Sequence, residues 1–114
     1  KIDIKAGDEL KITVGKSSLV MKKDGTITIN GKDLKLDFKM DIKTKAGKDM
    51  KVESGVGMDF KTGVGMGLKA AQVKISGSAT LDLKGGAMTT VKGAMVDVNG
   101  SAMAKLKGAL TMIG

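Results

Sequence analysis

Glycine recurs at intervals of eight residues along this chain, and the interval restarts twice. The first run contains Gly7, Gly15, Gly31, Gly47, Gly55 and Gly63, the second contains Gly77, Gly85 and Gly93, and the third contains Gly100 and Gly108. A repeat this regular indicates that one short supersecondary unit is stacked many times. We therefore expect a repeat protein built from octads, the eight-residue units that the glycines delimit.

Apolar and polar residues alternate within the octads, as they do around Leu34, Leu36 and Phe38. Alternation with period two is typical of β-strands that bury one face, whereas an apolar helical stripe recurs at three and four residues. The same place is apolar in successive octads, at Leu34, Ile42, Met50, Met58 and Met66. The sequence therefore predicts an all-β fold.

The alternation changes phase twice along the octads. The apolar residues have even numbers from Leu34 to Ala70, the series from Val73 through Leu83 to Val91 has odd numbers, and the series from Val96 through Leu106 to Met112 has even numbers again. A shift of one residue turns every side chain of a strand to its opposite face. We therefore expect a bend or an irregular corner at 70–72 and another at 93–95.

The alternation is also disturbed earlier, over residues 16–31, where Leu19, Met21, Ile27 and Ile29 have odd numbers. Within this segment, Lys23-Asp24-Gly25 has the composition of a tight turn. We expect this turn to join a strand over 18–22 to a strand over 26–30.

Glycine at an octad boundary predicts a sharp corner, because glycine takes positive φ and tolerates the close approach of another backbone. Lys23, Lys39 and Ala71 occupy places where the first run predicts glycine. The corners at these three places are expected to be made in another way or to be wider.

The repeat length bears on the number of chains. Three octads complete one circuit of a triangular prism, formed by one chain or by three intertwined chains. In a single-chain solenoid the similarity should recur after a full circuit, whereas a threefold trimer repeats at every octad. The observed repeat of one octad favours an intertwined homotrimeric triple-stranded β-helix, with a single-chain solenoid as the alternative. Thin, adaptable methionines such as Met50, Met58 and Met66 suit a crowded threefold axis as core residues.

We expect two regions: residues 1–33, with opening strands and irregular first octads, and residues 34–114, a regular β-helix needle that ends in a blunt tip. The chain begins at Lys1 within a strand-like pattern that does not resemble a signal peptide, so we expect it to be a piece of a longer protein. No apolar run is long enough to span a membrane.

Charge is spread along the chain. The 20 lysines are interleaved with 12 acidic residues, and the only aromatic residues are two phenylalanines, so we do not expect nucleic-acid binding despite a net charge of +8. Columns of opposite charge are expected to pair between neighbouring strands. These columns are Asp33, Asp41 and Asp49, flanked by Lys35, Lys43 and Lys51.

Residues that carry common catalytic chemistry are missing. The chain has no His, Cys, Tyr or Arg, which removes the usual general bases and nucleophile activators. Ser17 and Ser18 lie beside Lys16, but adjacent strand residues point to opposite faces. The residues at 85–88, GGAM, lack the aspartate of calcium-binding β-roll repeats. We therefore expect no enzyme, cofactor or metal site.

The two ends of the chain carry a family resemblance. Residues 15–33, GKSSLVMKKDGTITINGKD, resemble the C-terminal region of VgrG proteins, the spikes of bacterial type VI secretion systems. The end of the chain, from VKGAM at 91–95 to LTMIG at 110–114, is also similar to VgrG C-termini. The octads between them resemble the needle of contractile phage tail spikes, to which VgrG is related. The resemblance covers essentially the whole chain.

This resemblance implies a rigid homotrimeric β-helix that punctures a target membrane. It also implies assembly in the bacterial cytoplasm, secretion or injection into the target cell, and attachment to the secretion tube through an N-terminal head outside this sequence. A PAAR-repeat protein would cap the tip, and effectors would travel on it. By the resemblance, the tip platform is Leu110, Thr111, Met112, Ile113 and Gly114. The alternatives are a phage tail-spike needle and a single-chain β-solenoid adhesin or binding module.

Overall fold

A computed structural model describes all residues from Lys1 to Gly114 and contains three β-strands and no helix. The strands are β1 (Glu9–Val14), β2 (Ser17–Lys22) and β3 (Ile27–Asn30), which form one antiparallel sheet in the order β1-β2-β3. The predicted all-β class is confirmed. Since there is no helix, no helical segment is available to cross a membrane.

The register of the sheet explains the first disturbance of the alternation. Ile12 of β1 lies opposite Leu19 of β2, so an even residue is paired with an odd one. Between β2 and β3, Leu19 lies opposite Ile29 and Met21 lies opposite Ile27, so odd residues are paired with odd ones. One face of the sheet therefore carries Leu10, Ile12, Val14, Leu19, Met21, Ile27 and Ile29, because paired residues point to the same side. Val20, which lies opposite Lys11 and Thr28, is on the other face.

Both turns of the sheet depend on glycine in the left-handed region, with φ of 54° at Gly15 and 94° at Gly25. In the second turn, the Gly25 N–H donates to the Lys22 carbonyl at 3.0 Å. The Thr26 N–H donates to Oδ1 of Asp24 at 2.9 Å, which is the local bond that favours aspartate in turns. The predicted turn and its two strands are confirmed, with each strand boundary within one residue.

After the sheet, the chain is extended between regularly spaced bends. Two-residue bends begin at Lys39, Gly47, Gly55 and Gly63, each eight residues after the last. The corner at Lys39 is thus made without glycine and has the same width as its neighbours. No backbone N–H in residues 31–114 donates to a backbone carbonyl.

Single-residue bends lie at Ala71 and Ala94, inside both segments where the alternation predicts a corner. Around each of them one octad is shorter by one residue, so that Val73 follows Met66 after seven residues and Val96 follows Thr89 after seven. Shortening the octad returns the apolar residues to the same place in the repeat. The two predicted corners are confirmed, and a shorter octad accounts for each change of phase.

Contacts divide the chain into two units, Lys1–Asp59 and Phe60–Gly114. Neither unit has a buried core. Only Leu10, Ser18, Leu19 and Val20 of the sheet are half-buried, and every other residue is exposed. The predicted regions 1–33 and 34–114 were distinguished by how regular their octads are, which these contact units do not test, so that division stays a prediction.

Candidate functional site

The predicted tip begins within a bend at Ala109–Leu110, and no further bend follows up to Gly114. Leu110, Met112 and Ile113 are each exposed by 80 % or more. The tip residues carry no charge, so a partner with an apolar surface would meet no ionic desolvation cost here. Met40 and Val56 are at least as exposed as Leu110, so exposure alone does not single out the tip. The docking role of the tip stays a prediction.

The apolar residues of the octads form two columns that differ in exposure. From Ile42 onward, the inner column is exposed by only 42–57 %, and the second column, two residues further along each octad, is exposed by 60–80 %. In the preceding octad the order is reversed, with Leu34 exposed by 70 % and Leu36 by 58 %. The inner column comprises Ile42, Met50, Met58, Met66, Val73, Leu81 and Val96. The second column comprises Val52, Phe60, Leu68, Ile75, Leu83, Val91, Val98 and Leu106. Both columns remain available for burial against another surface, and the inner column is the more enclosed of the two.

A further set of methionines lies on the opposite side of the last octads. Met88, Met95 and Met103 are exposed by 76–87 %, and each has the opposite parity to the apolar residues of its own octad. Because alternate residues of an extended segment point to opposite sides, these three side chains form an outer methionine column. Our sequence analysis missed this column, although its parity is a signal that could have identified it.

The corner glycines fall into two groups. From Gly77 onward, a β-carbon on Gly77, Gly85 or Gly100 would overlap the backbone carbonyl oxygen of the residue three positions later. At Gly47 and Gly55, a β-carbon would have no neighbour within 4 Å. We call these two groups the tight and the open corners, and Gly63 belongs with the open ones. None of them has positive φ. Sequence analysis predicted glycine at corners for its tolerance of positive φ or of close backbone approach. Close approach explains glycine at the tight corners, and neither reason applies at the open corners.

Side-chain hydroxyls stand beside two of the open corners. The Ser54 hydroxyl donates to the Gly57 carbonyl across the corner at Gly55. The Val64 N–H donates to Oγ1 of Thr62 at 3.4 Å across the corner at Gly63. These corners are thus supported by side chains in place of a close backbone contact.

Charged residues make few contacts within the chain. Ion pairs join Lys1 to Asp3 at 3.6 Å and Lys23 to Asp8 at 4.0 Å, all on exposed side chains. The predicted columns of Asp33, Asp41 and Asp49 with their lysines form no pair within the chain. Their pairing with neighbouring strands stays a prediction. The hydrogen bond from the Thr26 backbone N–H lowers the pKa of Asp24 below its ordinary value.

The sheet borders an open groove whose apolar lining includes Ile12, Leu19, Ile29 and Leu34. Ser17 and Ser18 are neighbours in β2, so their side chains project to opposite faces of the sheet. No group of three or more acidic side chains comes close enough together to hold a metal ion.

A scan with protein-family models, a search of curated proteins and a search of solved structures each found no significant match to this chain.

Proposed function

We propose that this chain is the needle segment of a membrane-piercing spike of the VgrG type, and that it acts as an intertwined homotrimer. The observation that carries the proposal is the series of extended octads with regularly spaced bends and exposed apolar columns. In the resemblance described above, such octads form the three faces of a triangular prism. Its function would be mechanical, because a rod of continuous β-ladders resists bending and leaves few open edges.

The exposed apolar columns support association with further copies. Full burial of a side chain such as Met58 or Leu83 contributes about 1.5–3 kcal/mol. Holding each backbone residue in one conformation costs about 1–2 kcal/mol. Extended octads that bury neither of their apolar columns cannot offset that cost by themselves. Packing against further copies supplies the missing burial.

Backbone hydrogen bonding favours three chains over a single-chain solenoid. In a single-chain solenoid each octad would pair with the octad one circuit further along the same chain. Residues 31–114 make no such backbone pairs with one another. Three intertwined copies would place an octad of another chain next to each octad and satisfy these groups.

Sedimentation equilibrium tests the assembly. We expect a mass of about three times the 11.8 kDa of one chain. Met58→Asp places a carboxylate in the inner column and should abolish the trimer, since burying an unpaired charge is strongly unfavourable. A wild-type mass of one chain would refute the proposal and favour the single-chain solenoid.

Binding of a PAAR-repeat protein tests the tip. Met112→Asp, or removal of the tip at 110–114, should abolish capture of the cognate PAAR-repeat protein in a pull-down while the trimer mass is unchanged. Met40→Asp is the matched control, because Met40 is equally exposed but lies in a different octad. Undiminished capture by the Met112→Asp trimer would refute the docking role.

A further inference from the structure

The outer methionine column distinguishes the last octads from the earlier ones. It occupies the place immediately before the inner column, and in the first octads the same place holds Asp33, Asp41 and Asp49. Hydrated carboxylates are thus replaced by thioethers on the outer side. The methionines of the inner column, Met50, Met58 and Met66, are exposed by only 42–55 %, against at least 76 % for the outer ones.

Lysines dominate the charge on the same side as the outer methionine column. Lys92 shares the side of Met88, and both Lys105 and Lys107 share the side of Met103. The only acidic residue on this side between 88 and 107 is Asp97, which accompanies Met95. The outer side of the last octads is therefore both apolar and basic.

We propose that the outer methionine column and its lysines bind the surface of an anionic lipid bilayer. Apolar side chains flanked by lysines are typical of surfaces that lie in the membrane interface, where the apolar groups enter the acyl boundary and the lysines meet anionic headgroups. Lysine suits this position because its long stem lies along apolar surface while its ammonium group stays hydrated. An outer column of aspartates, as in the first octads, would be repelled by the same membrane.

The trimer would bring these methionines together, and this step rests on the proposed function. Successive octads of one chain would occupy successive faces of the prism, so each face would receive Met88, Met95 and Met103 from three different chains. Neighbouring strands lie about 4.8 Å apart, so the three thioethers would form one ladder on each face. Three such ladders give the end of the needle a continuous contact surface for lipid.

Vesicle co-sedimentation of the full chain tests the proposal. We expect binding to vesicles of phosphatidylglycerol and phosphatidylcholine, little binding to phosphatidylcholine alone, and loss of binding in high salt. The triple variant Met88→Gln, Met95→Gln, Met103→Gln should bind the anionic vesicles about tenfold more weakly. The matched control changes three exposed apolar residues at other bends, Met40→Gln, Val56→Gln and Val64→Gln, and should bind like the wild type.

The outcomes separate this proposal from the proposed function. Equal binding of both vesicle types, or equal binding by the triple variant and the wild type, would overturn it. A wild-type trimer that binds no vesicles would overturn the lipid proposal alone and would leave a protein partner as the occupant of the column. A wild-type protein that sediments as a single chain would instead refute the proposed function. Sedimentation of the triple variant at the wild-type mass excludes loss of assembly as the cause of weaker binding.

Discussion

Corners in the earlier and later octads are built differently, although the repeat interval hardly changes. At Gly55 and Gly63 the space around the glycine is open, and a neighbouring hydroxyl of Ser54 or Thr62 spans the corner. At Gly77 and Gly100 the backbone folds back onto the glycine itself. Glycine is thus a steric requirement of the chain's own backbone only in the later octads.

The corner at Lys39 supports this distinction. It has the same two-residue bend as the glycine corners that follow it. A residue with a side chain is therefore sufficient where the corner is open. We infer that glycines at the open corners, if a neighbouring copy does not approach them, are replaceable.

Alanine substitution at the two kinds of corner should give the largest expected difference in stability. Gly100→Ala should destabilise the folded protein by about 1–3 kcal/mol per chain, because its β-carbon meets the Met103 carbonyl and the backbone must move. Gly55→Ala should be neutral or stabilising by up to about 1 kcal/mol, since it reduces the freedom of the unfolded chain. Thermal unfolding of the two variants at equal concentration measures the difference. Equal destabilisation by both would contradict the distinction and would indicate that another backbone lies close to Gly55.

Oxidation of methionine compares the two sides of the octads. Mild treatment with hydrogen peroxide transfers an oxygen atom to each accessible thioether and releases water. In the proposed trimer, Met88, Met95 and Met103 should form sulfoxides several times faster than Met50, Met58 and Met66. Peptide mass spectrometry resolves the individual rates.

The same oxidation in denaturant is the internal control, because all nine methionines should then react at similar rates. If Met58 reacted as fast as Met95 in the native protein, the assignment of inner and outer columns would be wrong. Protection of Met95 together with Met58 would show that the outer column is covered in solution.

Acidification provides the smallest test and concerns only the turn at Asp24. The hydrogen bond from Thr26 lowers the pKa of Asp24 in the folded chain, so the turn is stabilised above the unfolded pKa and loses this contribution as the pH falls through the folded pKa. The effect should be slight because the carboxylate is exposed. A pH titration of the Thr26 amide proton by NMR should follow this transition, and Asp24→Asn, which keeps the acceptor oxygen, should remove it. A Thr26 shift that is unchanged across the acid range would contradict the bond.

Local patterns were sufficient to predict the hairpin of β2 and β3 and the corners, but not the pairing of β1 with β2. The Lys23-Asp24-Gly25 turn was predictable because aspartate and glycine act on their own backbone within a few residues. The bends at Ala71 and Ala94 were predictable because parity is a property of the sequence itself. The division into open and tight corners was not, because both kinds contain the same residue and differ only in the path of the following carbonyl.

The candidate site was less accessible to sequence analysis. The tip at 110–114 was proposed from a resemblance and an absence of charge, and the structure places it in an exposed segment without a partner of its own. The outer methionine column escaped attention because Met95 and Val96 are both apolar, which hides alternation. The opposite parity of Met88, Met95 and Met103 was the sequence signal for it, and their exposure makes the column evident in the structure.

The shortened octads around Ala71 and Ala94 have a consequence for how such a chain can change length. Adding or removing a whole octad leaves every other side chain on its original side, so the chain can change length in steps of eight residues. A single inserted residue is tolerable only at a bend, where the count of residues already varies between octads. The same insertion within a face would exchange the two sides of that octad. Chains built from such octads are therefore expected to differ in length by whole octads far more often than by single residues.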